Sequence, residues 1–147
     1  MRLSWLSTPD SPVDTDELTR IGVIHRRLEV DNYQPAIDQL MSARDYVSQD
    51  IIELEPTTPG LDELCEKFRG EHLHSDDEVR FVLSGEGIFD LRSADDRWLR
   101  VQVCAGDLLV VPAGLYHRFF LTDRRQIRCV RLFKDRGGWT PTYRDAG

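Results

Sequence analysis

His72, His74, Glu78 and His117 are the residues of this chain whose types and spacing could do chemistry together. Three lie in the run His72-Leu73-His74-Ser75-Asp76-Asp77-Glu78. The fourth follows Glu78 by 39 residues, in Pro112-Ala113-Gly114-Leu115-Tyr116-His117. Only His25 is left over. Imidazole suits iron, nickel, copper, manganese and zinc alike, and an added carboxylate tilts such a site towards a harder divalent ion. Three neutral donors and one anion leave that ion with net positive charge. A six-coordinate ion would also keep positions open for a bidentate oxygen ligand.

These side chains need a particular scaffold. On an extended strand, residues i and i+2 point to the same side, so His72 and His74 can reach one ion. Glu78 shares their parity and can turn inward where the next strand begins, with Asp76 and Asp77 forming the loop. Helical spacing would be wrong, because i, i+2 residues diverge on a helix. His117 must then come from a partner strand facing the same interior, its register set by the Pro112-Ala113-Gly114 turn. An HxH pair alone is a weak signal, since single histidines are commonly hydrogen-bonded core or surface residues. The surrounding pattern is more specific: six residues separate Glu78 from Gly85, five separate Gly106 from Pro112, and two separate Gly114 from His117.

The rest of the chain supplies such strands. After residue 70 the hydrophobic period shifts towards two, predicting strands at Glu78–Ser84, Gly87–Arg92, Trp98–Val103, Asp107–Val111, Tyr116–Leu121 and Arg125–Phe133. Glycine- and aspartate-bearing breakers separate them. Before residue 70, helices are expected from Asp14 or Thr15 to Ile21, from Pro35 to about Tyr46, and around Leu61, Leu64, Cys65 and Phe68. Extended segments are expected at Val23–Leu28 and Val47–Leu54. The fold class is α+β, mainly β, built on a barrel. With 147 residues the chain is read as one domain, 1–147. It comprises a helix and strand portion (1–70), the barrel with the metal site (71–135) and a tail (136–147).

Composition excludes several function classes. The net charge of −7 and the scattered arginines, with only Lys67 and Lys134 as lysines, argue against nucleic acid or an anionic membrane as partner. Cys65, Cys104 and Cys129 are odd in number, lack a CxxC and read as small buried hydrophobes in a reducing compartment. No sustained apolar stretch suggests a signal segment or membrane span, so the expected location is the cytoplasm.

The two ligand-bearing segments resemble the paired motifs of the cupin superfamily, G…HxHx3Ex6G and Gx5PxGx2H. The closing Asn of the second motif is replaced by Leu121, which leaves the ligands untouched. Within cupins, the chain is similar to the acireductone dioxygenase family. The similar words are Glu71-His72-Leu73-His74-Ser75-Asp76-Asp77-Glu78-Val79-Arg80-Phe81, Gly85-Glu86-Gly87-Ile88-Phe89-Asp90, Gly106 through Phe119, Val130-Arg131-Leu132-Phe133 and Gly138-Trp139-Thr140-Pro141. The likeness is strong in the second half and loose in the first, where this chain is somewhat shorter.

The resemblance implies a double-stranded β-helix, a jelly-roll barrel, with one iron(II) or nickel(II) ion per chain, and a monomer. It implies action on 1,2-dihydroxy-3-keto-5-methylthiopentene and dioxygen in methionine salvage. The iron form of the family gives formate and 4-methylthio-2-oxobutanoate; the nickel form gives methylthiopropionate, formate and carbon monoxide. Arg80, two residues from Glu78, faces the same interior, and the resemblance makes it a catalytic anion contact rather than a plain ion pair. Arg131 is a second candidate contact. Glu71 has the opposite parity; it either orients a ligand imidazole or is a solvated carboxylate. Phe81, Phe89, Phe119, Phe120 and Trp139 are candidate walls for the substrate's apolar tail. Phe119, which shares the parity of His117, and Trp139, which matches the family's carboxy-terminal motif, are the first choices. Rival readings are another metallocupin enzyme, such as a different dioxygenase or a sugar isomerase, and a non-catalytic metal-binding cupin.

Overall fold

The computed structural model describes residues 1–134 and 141–144. Its central element is a single strand, β5 (Glu78–Arg92), that belongs to both walls of a barrel. In chain order the other elements are β1 (Arg2–Trp5), α1 (Asp16–Arg20), β2 (Ile24–Arg27), α2 (Gln34–Arg44), β3 (Ser48–Leu54), α3 (Leu61–Arg69) and β4 (His72–Leu73). After β5 come β6 (Trp98–Cys104), β7 (Asp107–Val111), β8 (His117–Leu121), β9 (Ile127–Phe133) and β10 (Thr142–Tyr143). The first half of β5 pairs with β7 and β9, which in turn carry β2 and β3. Its second half pairs with β6 and β8, flanked by β1, β4 and β10.

Two strands were expected where β5 runs unbroken. The glycine run Ser84-Gly85-Glu86-Gly87 bends the strand without ending it, with a register shift between Val82 and Ser84 and Gly85 at φ 77°. That irregularity reverses which residues face inward. Val82, Phe89 and Leu91 lie in the barrel core with Leu99, Val101, Val103, Leu109, Val111, Ile127 and Cys129. Val79, Phe81 and Leu83 lie in a second core under α2, with Ile37, Leu40, Val110, Val130 and Leu132.

The helices form where the sequence predicts them. Asp14 accepts the Asp16 amide at the start of α1, and Gly22 (φ 77°) follows its end. In α2, Pro35 sits in the first turn, and the helix ends at Arg44 with Asp45 in the left-handed region, two residues short of the predicted end. Strands β1 and β10 were not foreseen. β1 pairs with β6, and β10 adds to β4 with Tyr143 opposite His72. The cysteines are unbridged, as expected, but only Cys65 and Cys129 are buried; Cys104 is exposed. Among the described residues, no helix is long and apolar enough to cross a membrane.

Candidate metal centre

The short strand β4 and strand β8 bring the histidines together. His72 pairs directly with His117 in the antiparallel register, which puts both rings on one face, 4.5 Å apart between centroids. His74 follows at the same parity, its ring 5.0 Å from His72 and 5.4 Å from His117. One ring nitrogen from each residue lies within 4.8 Å of the other two, and all three residues are buried. His25, left out of the site by the sequence, pairs instead with Asp107 at 2.8 Å.

Backbone carbonyls fix the rings. His72 Nδ1–H donates to the Gly70 carbonyl at 2.6 Å, and His117 Nδ1–H donates to the Leu115 carbonyl at 2.8 Å. Each bond assigns the proton to Nδ1 and turns an Nε2 lone pair inward, the form a metal needs. Burial lowers the pKa of His72 and His74, so both are neutral near pH 7. At His117 burial acts the same way, but the charge and contact of Glu78 outweigh it and raise the value.

Glu78 reaches the cluster through His117. Its Oε2 lies 2.6 Å from His117 Nε2, yet neither atom makes an aligned hydrogen bond. Arg80 Nη2 holds the other oxygen, Oε1, at 2.8 Å. Burial opposes the Glu78 charge, but Arg80 and His117 overcome it and keep the carboxyl ionised. Two buried polar atoms at this distance share a cation: a proton, or an ion placed beside both where the nitrogens of His72 and His74 also reach it. The donor set of three imidazoles and one carboxylate therefore fits a divalent metal ion.

Two further contacts tie the loops that carry the ligands. The Gly114 amide donates to the His74 carbonyl at 2.9 Å. Asp77 Oδ1 accepts the Ala113 amide at 3.0 Å, while its Oδ2 accepts from Tyr46 at 2.7 Å and Arg44 at 2.9 Å. Asp77 was expected only to form the loop; it clasps the two motifs to the end of α2.

Beside the cluster lies a pocket lined by Ile52, Leu54, Phe68, Arg80, Phe89, Phe119, Ile127 and Cys129. A second hollow adjoins it, sharing Ile52, Phe68, His72, Glu78 and Arg80 and lined also by Lys67, Arg131, Pro141 and Tyr143. A polar, metal-competent end thus adjoins an apolar end. Such a shape suits a small molecule with an oxygen-rich head and a hydrocarbon-like tail.

A family model described as the ARD/ARD' family matches residues 2–141. The chain belongs to this family. Relatives named acireductone dioxygenase include one from Heterostelium pallidum, 41% identical over 141 residues, covering 96% of this chain and 97% of that one. Another, from Rattus norvegicus, is 37% identical over 148 residues, covering 99% and 83%. The fold is that of the solved acireductone dioxygenase of Bacillus anthracis, described with a cadmium ion in its active centre. That structure is 30% identical and matches with a TM-score of 0.89 over 96% of both chains.

Against what the family resemblance implied, the residues separate. His72, His74, Glu78 and His117 converge, Arg80 joins them from the same face, and Phe119 and Phe89 line the pocket. Arg131 lines the adjoining hollow, paired through Nε and Nη2 with Asp50 at 2.8 and 2.6 Å. Two readings need correction. Phe81 alternates with Arg80 and points to the other side of β5, where it has no exposed surface and packs on Tyr33 at 5.1 Å. Glu71 orients no imidazole: its carboxylate is held by Arg92 at 2.8 and 3.1 Å and by Arg144 at 2.9 Å. Trp139 lies outside the described residues. Ile52, Leu54, Phe68, Ile127 and Cys129 were missed as pocket walls. Strand alternation in β3 and β9, and for Phe68 the apolar face of α3, carried their signal, which is indistinguishable from ordinary core without the topology.

Proposed function

We propose that this chain is a metal-dependent dioxygenase that cleaves 1,2-dihydroxy-3-keto-5-methylthiopentene with dioxygen in methionine salvage. The observation that carries the reading is the meeting of His72, His74 and His117 beside a buried Glu78 at the polar end of an apolar pocket, in a chain of the ARD/ARD' family. One iron(II) or nickel(II) ion held there supplies the Lewis-acid and redox chemistry for the enediol and dioxygen. With iron the products are formate and 4-methylthio-2-oxobutanoate; with nickel they are methylthiopropionate, formate and carbon monoxide.

The protein's own groups do the positioning. The carbonyls of Gly70 and Leu115 hold two imidazoles as Nε2 donors. Arg80 anchors Glu78 and brings a permanent positive charge to the pocket wall, where it offsets the charge of an enediolate. Phe68, Phe89, Phe119 and Ile127 surround the methylthio tail and keep water from it. The protein acts as a cytoplasmic monomer.

The test loads the purified protein anaerobically with iron(II) or nickel(II), adds the enediol and admits air. Protein-dependent loss of the enediol absorbance with formate release is expected; a fully metallated protein that gives no acceleration removes the reading. Arg80→Ala should bind metal about 10–100-fold more weakly, and with the site fully loaded its turnover should still collapse. A fully active Arg80→Ala would cancel the role given to this arginine.

A further inference from the structure

One glycine governs the far end of the pocket. Gly87 lies on the inward face of β5, two residues before Phe89, whose cross-strand partner is Phe119. A methyl group built on Gly87 would stand 2.7 Å from Cε2 and 2.9 Å from Cζ of Phe119, and 3.0 Å from Cδ1 of Ile127. Carbon atoms rest at about 3.5–4.0 Å from one another, so these positions are filled. The backbone of Gly87 is not in the left-handed region, unlike that of Gly85 (φ 77°). Nothing in the turn of the chain demands a glycine here; the Phe119 ring does.

That ring has little freedom elsewhere. Phe89 packs against it at 4.9 Å and Phe68 meets it edge-on at 5.9 Å. Phe119 and Ile127 both line the pocket. A ring pushed off Gly87 therefore has the pocket as its open side. The geometry points to Gly87 as the residue that sets which tail length the substrate pocket accepts. Lacking a side chain, it lets Phe119 lie back against β5 and keeps room for the methylthioethyl tail. The inference rests on the functional reading above and adds a specificity determinant that acts through Phe119.

The experiment measures kcat and KM for metallated wild type, Gly87→Ala, Phe119→Leu and the double variant. The substrates are enediols of the same head group bearing a methyl, a methylthioethyl or a longer alkyl tail. Gly87→Ala should hold kcat/KM for the methyl-tailed substrate within about twofold and lose about tenfold or more on the methylthioethyl one, chiefly through KM. Phe119→Leu in the same background should return that loss. A loss equal across tails, or none, overturns the inference while wild-type turnover leaves the functional reading standing. A wild type inactive on every tail overturns both. If Gly87→Ala does not fold, Phe119→Leu alone decides: a shifted preference towards the longer tail supports the gauge, and an unchanged preference overturns it.

Discussion

Strand β5 carries a buried carboxylate near each end, and the two are held in opposite ways. Asp90 has no exposed surface and both its oxygens are occupied. Arg100 grips Oδ1 and Oδ2 at 2.8 and 2.9 Å, and Arg118 adds a bond to Oδ2 at 2.9 Å. Arg118 lies over the Trp98 ring at 4.2 Å and the Phe120 ring at 5.1 Å. Glu78 gives one oxygen to Arg80 and leaves the other facing an imidazole nitrogen. An acid whose oxygens are spoken for is architecture. One that keeps a buried lone pair among nitrogen donors is set up for a cation.

Breaking each end should give opposite phenotypes. Glu78→Gln removes the anionic donor, and metal affinity should fall by more than the roughly 10–100-fold typical of losing an outer-sphere partner. Metal content after dialysis, read by elemental analysis, checks this; full retention would exclude Glu78 as a ligand. Asp90→Ala should keep the metal and instead lose about 1–3 kcal/mol of unfolding free energy in urea. The loss is bounded because Arg100 and Arg118 are partly exposed and can rehydrate. A folded Asp90→Ala that has lost its metal would erase the contrast.

A third acid sharpens it at smaller amplitude. Asp107, fully buried in β7, accepts from the Cys104 amide at 2.9 Å, His25 at 2.8 Å and Arg27 at 2.9 Å. Burial opposes its charge, but these donors prevail and hold the carboxyl well below the usual range. In the unfolded chain it protonates at about pH 3.9. Its stabilising contribution is therefore complete above that pH and is lost as pH falls towards the folded value. Asp107→Asn should flatten the acid limb of a stability–pH curve below about pH 4; parallel curves for variant and wild type would unlink this residue.

Much of this was legible in the sequence, for reasons that also explain the misses. Parity within each strand holds: Glu78 and Arg80 share one side of β5, and His72 meets His117 across β4 and β8. The bend at Ser75 and Asp76 between the two strands was not something alternation could follow. Beyond Val82 the same counting fails, since the bulge exchanges the inner and outer sets. Phe89 faces the pocket with odd numbering, whereas odd-numbered Phe81 does not. Phe81 was a poor choice even by alternation, standing next to Arg80. Glu71 was harder. Its partners Arg92 and Arg144 come from the end of β5 and the residue after β10, and no local pattern announces either contact. β1 and β10 are four and two residues long, too short to leave a period.

Because β5 feeds both walls of the barrel as one continuous rod, its bent middle has an unusual tolerance profile. Ser84 and Glu86 can change identity, whereas Gly85 and Gly87 have no room for a side chain, and a single insertion or deletion there would rotate one half of the strand by a full face. Either Glu78 and Arg80 or Phe89 and Leu91 would then swing out of the interior. Among relatives, length at this stretch should stay constant even where residues 84 and 86 vary.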